Sequence, residues 1–184
     1  RAYTGTYMGT RLSAISSGIG PAATSIVVNE AANIGVNTFI RVGSCGALQE
    51  NIECGDLIIS SAAVRLDGTS NCYVMPEYPA TADYGVLLAL IEAAESLGVK
   101  YHVGITATAS DFYAGQARHG GKGFCNLENE NLIPTLQRAN VLNFEMETAT
   151  LFVLCSVFGL RAGSVQAVYA NRVTNEFKTH AGED

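Results

Sequence analysis

Short, nearly continuous apolar runs alternate along this chain with segments whose apolar residues recur at helical spacing. Arg11-Leu12-Ser13-Ala14-Ile15-Ser16 predicts a buried strand, and Ser17-Gly18-Ile19-Gly20-Pro21 a turn. The spacing predicts a helix over Ala22 to Ile34, stopped by Gly35, then a strand over Asn37 to Val42 and a turn at Gly43-Ser44-Cys45-Gly46. A strand is expected over Asp56 to Val64. Pro76 to Asp83 is irregular and leads into a helix over Tyr84 to Leu97, closed by Gly98. A strand over Tyr101 to Ala109 precedes a polar, Gly-rich stretch from Ser110 to Gly123, and Leu127 to Arg138 predicts a helix. Val141 to Phe144 reads as a strand, Met146 to Phe158 as a helix closed by Gly159, and Ala162 to Ala170 as the last strand.

Strands that are apolar throughout and alternate with helices predict an α/β fold with a mixed, mainly parallel sheet covered by helices on both faces. Neither a repeat nor a linker interrupts the pattern, so residues 1–184 are expected to form one domain. In such sheets a ligand lies beyond the carboxyl ends of the strands. The segments found there are Ser17-Gly18-Ile19-Gly20, Gly43-Ser44-Cys45-Gly46, Asp111 to Arg118, Glu145-Met146-Glu147 and Asn171-Arg172. They supply Gly-rich turns, an aromatic ring, carboxylates and several arginines. Small residues around Ser44 let a ligand approach the backbone, whose N–H groups suit an anion. Arg41, just before, offers a fork of donors. An ordinary strand-to-helix turn explains the same four residues equally well. Gly18-Ile19-Gly20 lacks the third glycine of the dinucleotide fingerprint.

Glu145 and Glu147 stand where an extended run becomes a helix. On a strand, residues two apart share a face. In a first helical turn both carboxylates would sit in the positive field of the free N–H groups. The spacing is thus consistent with a paired acidic site and equally with simple capping.

The chain is 48% hydrophobic and 15% charged, which fits a globular protein rather than a disordered one. A net charge of -6 argues against a general nucleic-acid or membrane-surface binder. Five cysteines (Cys45, Cys54, Cys72, Cys125 and Cys155) show no metal-ligand spacing and are expected to be buried free thiols in a reducing compartment. Nothing reads as a secretory signal, and no run reaches about 18 apolar residues, so a cytoplasmic location without membrane insertion is expected. The sequence opens on Arg1 without a Met and stops at Gly182-Glu183-Asp184, and is expected to be part of a longer polypeptide.

Four segments together resemble the hexameric nucleoside phosphorylases, and within them the uridine phosphorylase branch. They are Arg41-Val42-Gly43-Ser44-Cys45-Gly46-Ala47, Ala63 to Ser70, Phe112 to Arg118 and Asn143-Phe144-Glu145-Met146-Glu147. The Gly115-Gln116-Ala117-Arg118 element is the most specific, since it separates the uridine from the purine branch. The resemblance implies reversible phosphorolysis, in which a pyrimidine ribonucleoside and phosphate give free base and ribose 1-phosphate. It assigns phosphate to Arg1, Arg41 and Ser44, with Arg1 lent across a subunit interface, and ribose to Glu145, Met146 and Glu147. The base falls to Phe112, Gln116, Arg118, Gly46 and Arg172, and catalysis to Arg41, Glu147, Gln116 and Arg118. The family also uses an arginine and a glycine from an N-terminal loop that this sequence does not contain.

The resemblance further implies a homodimer assembling to a homohexamer, with uridine or uracil, phosphate and ribose 1-phosphate as ligands. No nucleic acid, membrane, metal or organic cofactor is called for; phosphate is a co-substrate. A monovalent cation held elsewhere in the family by a glutamate is not carried over, because Ala2 stands at that place. His102, His119 and His180 match no catalytic role. Three other readings stay open: a purine nucleoside phosphorylase, disfavoured by Asn171-Arg172 where that branch has an aspartate; a nucleosidase using water; and a nucleoside-binding protein without turnover. On packing alone Met146 reads as core.

Overall fold

The computed structural model describes residues 2–124 and 126–177. Expectations that rest on Arg1, Cys125 and His180 lie outside them. In chain order these residues form β1 (Ala2–Tyr7), β2 (Thr10–Ile15), α1 (Pro21–Asn33), β3 (Thr38–Ala47), β4 (Leu57–Leu66), β5 (Ala80–Thr81) and α2 (Tyr84–Leu97). Then follow β6 (Tyr101–Ala109), α3 (Leu132–Arg138), β7 (Val141–Glu145), α4 (Thr148–Val157), β8 (Arg161–Asn171) and β9 (Glu176–Phe177).

The alternation of strands and helices is the expected one, and the sheet is mixed as expected but not clearly mainly parallel. Strand pairs β3–β8, β4–β6 and β6–β7 are parallel, whereas β3–β7 and β4–β8 are antiparallel. These five pairings close β4, β6, β7, β3 and β8 into a barrel, to which β5 and β9 add antiparallel edges. Helices therefore lie on the outside of a closed sheet rather than on both faces of an open one. Continuous apolar runs report that both faces of a strand are buried. A filled barrel satisfies that as well as a helix-sandwiched sheet does, and the runs carry no information on strand direction.

Three local expectations are also corrected. The strand expected over residues 11–16 is present as β2, but it pairs only with β1, in a separate hairpin whose residues are all exposed. Apolar content shows what a strand can bury, not whether a partner layer covers it. The turn expected at Gly43-Ser44-Cys45-Gly46 is instead the second half of β3, with a register irregularity between Cys45 and Gly46. The single helix expected over residues 127–138 is a short 3-10 turn at Leu127–Asn129 followed by α3. Pro134 accounts for the break. It is tolerated in a first helical turn, where its missing N–H has no partner to lose, but not deep inside a longer helix.

The core is built around α4, which is buried on all sides from Thr148 to Cys155. A helix apolar all round belongs inside, and each fully buried Leu, Val or Phe contributes roughly 1.5–3 kcal/mol. Leu151, Phe152, Val153 and Leu154 form one cluster with Val28 of α1 and Ala162 of β8. Helix α2 starts at Asp83, whose carboxylate accepts the Val86 N–H at 2.9 Å, and ends at left-handed Gly98. It lies so close to β8 that a Cβ on Gly163 would come within 2.5 Å of Val86.

Barrel strands are also joined by buried polar side chains. Ser60 of β4 bonds Thr106 of β6 at 2.6 Å, and Thr106 donates to Asn143 of β7 at 2.8 Å. Gln166 of β8 donates to Ser60 at 3.0 Å, and Ser164 meets Thr148 of α4 at 2.9 Å. Buried groups of this kind stabilise only when partnered, so the ring fixes the register of four strands at once.

Asp56, just before β4, ties three strands together. Its carboxylate takes a bond from His102 of β6 at 2.8 Å and from the Glu53 N–H at 3.1 Å, with the Lys100 ammonium 3.2 Å away. Its carbonyl accepts the Val168 N–H of β8. Burial works to raise its pKa, but the bonds from His102, Glu53 and Lys100, with the Lys100 charge, outweigh it and hold the pKa below 3.8. A depressed carboxylate pKa stabilises the fold above the unfolded-state value, and that contribution is lost as pH falls through the folded-state value. Asp56→Asn is expected to lower the urea midpoint at pH 7, with the difference from wild type shrinking below about pH 4. A difference that stays constant from neutral to acidic pH would contradict this.

Candidate active site

The charged site forms where β7 gives way to α4. Because the start of α4 is buried, its first N–H groups need partners from the protein. The Glu145 carboxylate, at the end of β7, accepts the N–H of Glu147 at 2.8 Å and of Thr148 at 2.9 Å. The Thr108 hydroxyl donates to its other oxygen. Capping, one of the two readings open for the acidic pair, is therefore carried out by Glu145.

Glu147 is left to face outward from the cap. One of its oxygens accepts the Gly20 N–H at 2.6 Å; the other accepts Arg41 Nε at 3.1 Å and Nη2 at 2.6 Å. Arg41 Nε also lies 3.2 Å from Glu145. The guanidinium of β3 is thus held between both carboxylates of the β7–α4 junction. Gly20, the residue before α1, has φ 93, a conformation that favours glycine and that turns its N–H onto Glu147. Gly43 makes room for the guanidinium, since a Cβ there would stand 2.6 Å from Arg41 Nη1.

A second group assembles beside the first. After β6 the chain enters a polar segment in which Gln116 is buried and Phe112 is half-exposed. The Arg118 guanidinium lies over the Phe112 ring, 4.6 Å from its centroid. Arg172, just past β8, donates to the Gln116 carbonyl at 3.0 Å and lies 5.9 Å from the Phe144 ring centroid. Phe144 precedes Glu145 and pairs with Gly46 of β3, and a Cβ on Gly46 would meet Arg172 at 3.4 Å. These links set the arginine pair next to the carboxylate pair.

Electrostatically the two halves differ. Among the described ion pairs none includes Arg118 or Arg172. Burial, with the neighbouring Arg118 charge, lowers the Arg172 pKa to about 10, so it remains a cation at neutral pH. Burial also lowers that of Arg118. Arg41 Nη1, Arg118 Nε and Arg172 Nη1 are buried donors with no protein partner among the described residues. Unpaired buried donors of this kind suit an anion or the carbonyls of a polar ring.

The residues expected from the sequence are only partly gathered. Arg41, Glu145, Glu147, Gly46, Phe112, Gln116, Arg118 and Arg172 come together as described. Met146 is half-buried in the turn between the two glutamates. Ser44 is exposed and, by strand alternation, on the other face of β3 from Arg41. His102 is held by Asp56, and His119 is exposed. The buried thiols of Cys45 and Cys155 are pushed up to about 12 by burial, which leaves them unreactive; Cys72, expected to be buried, is exposed. Two residues were missed. Gly20 reads only as a turn in sequence. Thr108 lies in a run read as uniformly buried, although Thr106 and Thr108 alternate with alanines and so mark one polar face of β6. Two surface depressions elsewhere, one beside Phe152 and Cys155 and one beside Asn29 and Phe158, hold no arginine.

Fold and site define an α/β barrel protein with a buried arginine–carboxylate cluster at the end of β7. The chain belongs to the phosphorylase superfamily, whose family model matches residues 1–184. It is 59% identical over 177 residues to uridine phosphorylase of Thermococcus kodakarensis, covering 96% of this chain and 64% of that protein. To uridine phosphorylase of Haemophilus influenzae it is 46% identical, covering 90% of this chain and 66% of the relative. To guanosine phosphorylase of Halorubrum lacusprofundi it is 38% identical, covering 97% and 68%. The chain thus spans slightly under two thirds of the length of those two uridine phosphorylases.

Gly43→Ala tests how Arg41 is seated. The added methyl must push the guanidinium off Glu147, and overpacking of this kind costs about 1–3 kcal/mol. Urea unfolding should show that loss, while Val42→Ala at the exposed neighbour should change stability by less than about 0.5 kcal/mol. Equal effects would show that Arg41 does not depend on the missing side chain.

Proposed function

We propose that the protein containing this chain catalyses reversible phosphorolysis of uridine, as a pentosyltransferase of pyrimidine salvage in the cytoplasm. The observation that carries the reading is the Arg41–Glu147 pair at the β7–α4 junction. It stands in a chain more than half identical to a uridine phosphorylase over nearly all its length. Among the described residues no helix is long and apolar enough to cross a membrane.

The chemistry follows from charge. Breaking the glycosidic bond spreads positive charge over the ribose ring carbon and oxygen. Phosphate attacks that carbon and is also its counter-charge, so it must sit directly below. Arg41, whose Nη1 has no partner among the described residues, is one anchor for it, and Arg1 is another; the Ser44 side chain, on the other face of β3, is not. Arg41 alone does not offset two carboxylates and a phosphate, so the reading requires added positive charge such as Arg1. The Glu147 oxygen that takes the Gly20 N–H has one lone pair to spare, which can accept a ribose hydroxyl, while the other is filled by Arg41. Such bonds strengthen as the sugar becomes cationic. Met146 packs against the sugar.

Uracil leaves with negative charge on its carbonyls. Arg118 offsets that charge, Gln116 reads the base edge by giving and accepting a bond, and Phe112 stacks on the ring. Arg172 stands behind Gln116, and Gly46 leaves space for it. The reaction needs phosphate as co-substrate and no organic cofactor. Subunits pair as dimers within a hexamer.

The deciding measurement is uracil release from uridine by the full-length protein, with and without phosphate. Release only with phosphate supports the reading. Release without it points to a nucleosidase, and binding without release to a carrier. Preference for inosine or guanosine would favour the purine reading, which the guanosine phosphorylase relative keeps in view.

Two substitutions test the roles. Glu147→Gln is expected to cut turnover by about 10²–10³. Phosphate affinity should hold or rise, because Arg41 loses a competing anion. Unchanged turnover would remove Glu147 from the reaction. Arg118→Ala is expected to slow uridine at least about 10-fold more than a nucleoside with an activated leaving group. Equal losses on both would assign Arg118 to positioning alone.

A further inference from the structure

We propose that Thr108, on β6, is a positioning residue of this site, a role that rests on the phosphorolysis reading above. Its hydroxyl ties β6 to the β7–α4 junction. It donates to the Glu145 carboxylate and accepts the Ala149 N–H of α4 at 2.8 Å. Thr108 also stands directly beside Glu145 in the parallel β6–β7 register. One hydroxyl therefore pins a strand, a carboxylate and the first turn of a helix.

The consequence falls on Glu147 and Arg41. The second Glu145 oxygen holds the Glu147 and Thr148 N–H groups and lies 3.2 Å from Arg41. Thr108 is the hydrogen-bond partner described for the first oxygen, and so fixes the rotation of the whole carboxylate. If the carboxylate turns, the backbone of Glu147 loses its anchor and Arg41 loses one of its two supports. Thr108 acts from the other side as well, because its strand leads directly into the segment carrying Phe112, Gln116 and Arg118. Simultaneous donation and acceptance by one short side chain requires a hydroxyl. Valine, of the same shape, would leave both Glu145 and the Ala149 N–H short of a partner in a buried place.

The test uses the full-length protein with Thr108→Val, Thr108→Ser and Thr108→Cys. The Val form is expected to lose about 10²-fold in kcat, the scale of a small misplacement of reacting groups, with a much smaller change in KM for uridine. The Ser form should stay within about 3-fold of wild type, because it keeps the donor and acceptor. A purely structural role would lower Tm without this split between kcat and KM. If the Val form does not fold, the Cys form, a weaker donor and acceptor of similar size, should show an intermediate loss. Wild-type kcat in a folded Val or Cys form would overturn the proposal. Crystal structures of the variants give a reading independent of activity. An Arg41–Glu147 pair unmoved in both Val and Cys forms would overturn it even if the wild-type protein releases no uracil, an outcome that would itself count against phosphorolysis.

Discussion

The buried carboxylate of Glu145 is the constraint on which the rest of the arrangement depends. Helix α4 is apolar on every side and is enclosed by α1 and the barrel. Water cannot reach its first N–H groups, and leaving them unpaired would cost several kcal/mol. Glu145 meets that need, but an ionised carboxylate is itself expensive to bury unless donors surround it. The helix N–H groups, the Thr108 hydroxyl and the Arg41 guanidinium are those donors. A helix, two strands and an arginine on a third strand are therefore located by one charge. Glu147 is spared from capping and faces Arg41 and Gly20.

Closure of the sheet gives this junction its second neighbour. β3 runs parallel to β8 along its length but meets β7 antiparallel only at Gly46 and Ala47. That short crossing sets Gly46 against Phe144, next to Glu145, and leaves room for Arg172 above. An open parallel sheet would keep β3 and β7 apart. The same strand thus brings Arg41 to the carboxylates and Gly46 to the second arginine group.

Charge is divided accordingly. At one end a single guanidinium lies between two carboxylates; at the other, two neighbouring guanidiniums meet the Gln116 carbonyl and the Phe112 and Phe144 rings. Such a gradient suits a substrate whose sugar becomes cationic while its leaving group becomes anionic.

Taken alone, the sequence determined most of the elements and the charged segments. Apolar runs with their capping residues placed α2 and β6 at the bounds observed, and the Asn143–Glu147 and Phe112–Arg118 segments marked the carboxylates and arginines. These signals are local: helical spacing, a cap, a strained glycine. Tertiary structure alone decided the rest. It chose strand direction, turned an expected open sheet into a barrel, left β2 exposed, extended β3 through an expected turn, and assigned capping to Glu145 rather than to Glu147. Each of those outcomes depends on which distant segment supplies a hydrogen bond or a covering surface, and a residue's own neighbours in the chain carry no record of that.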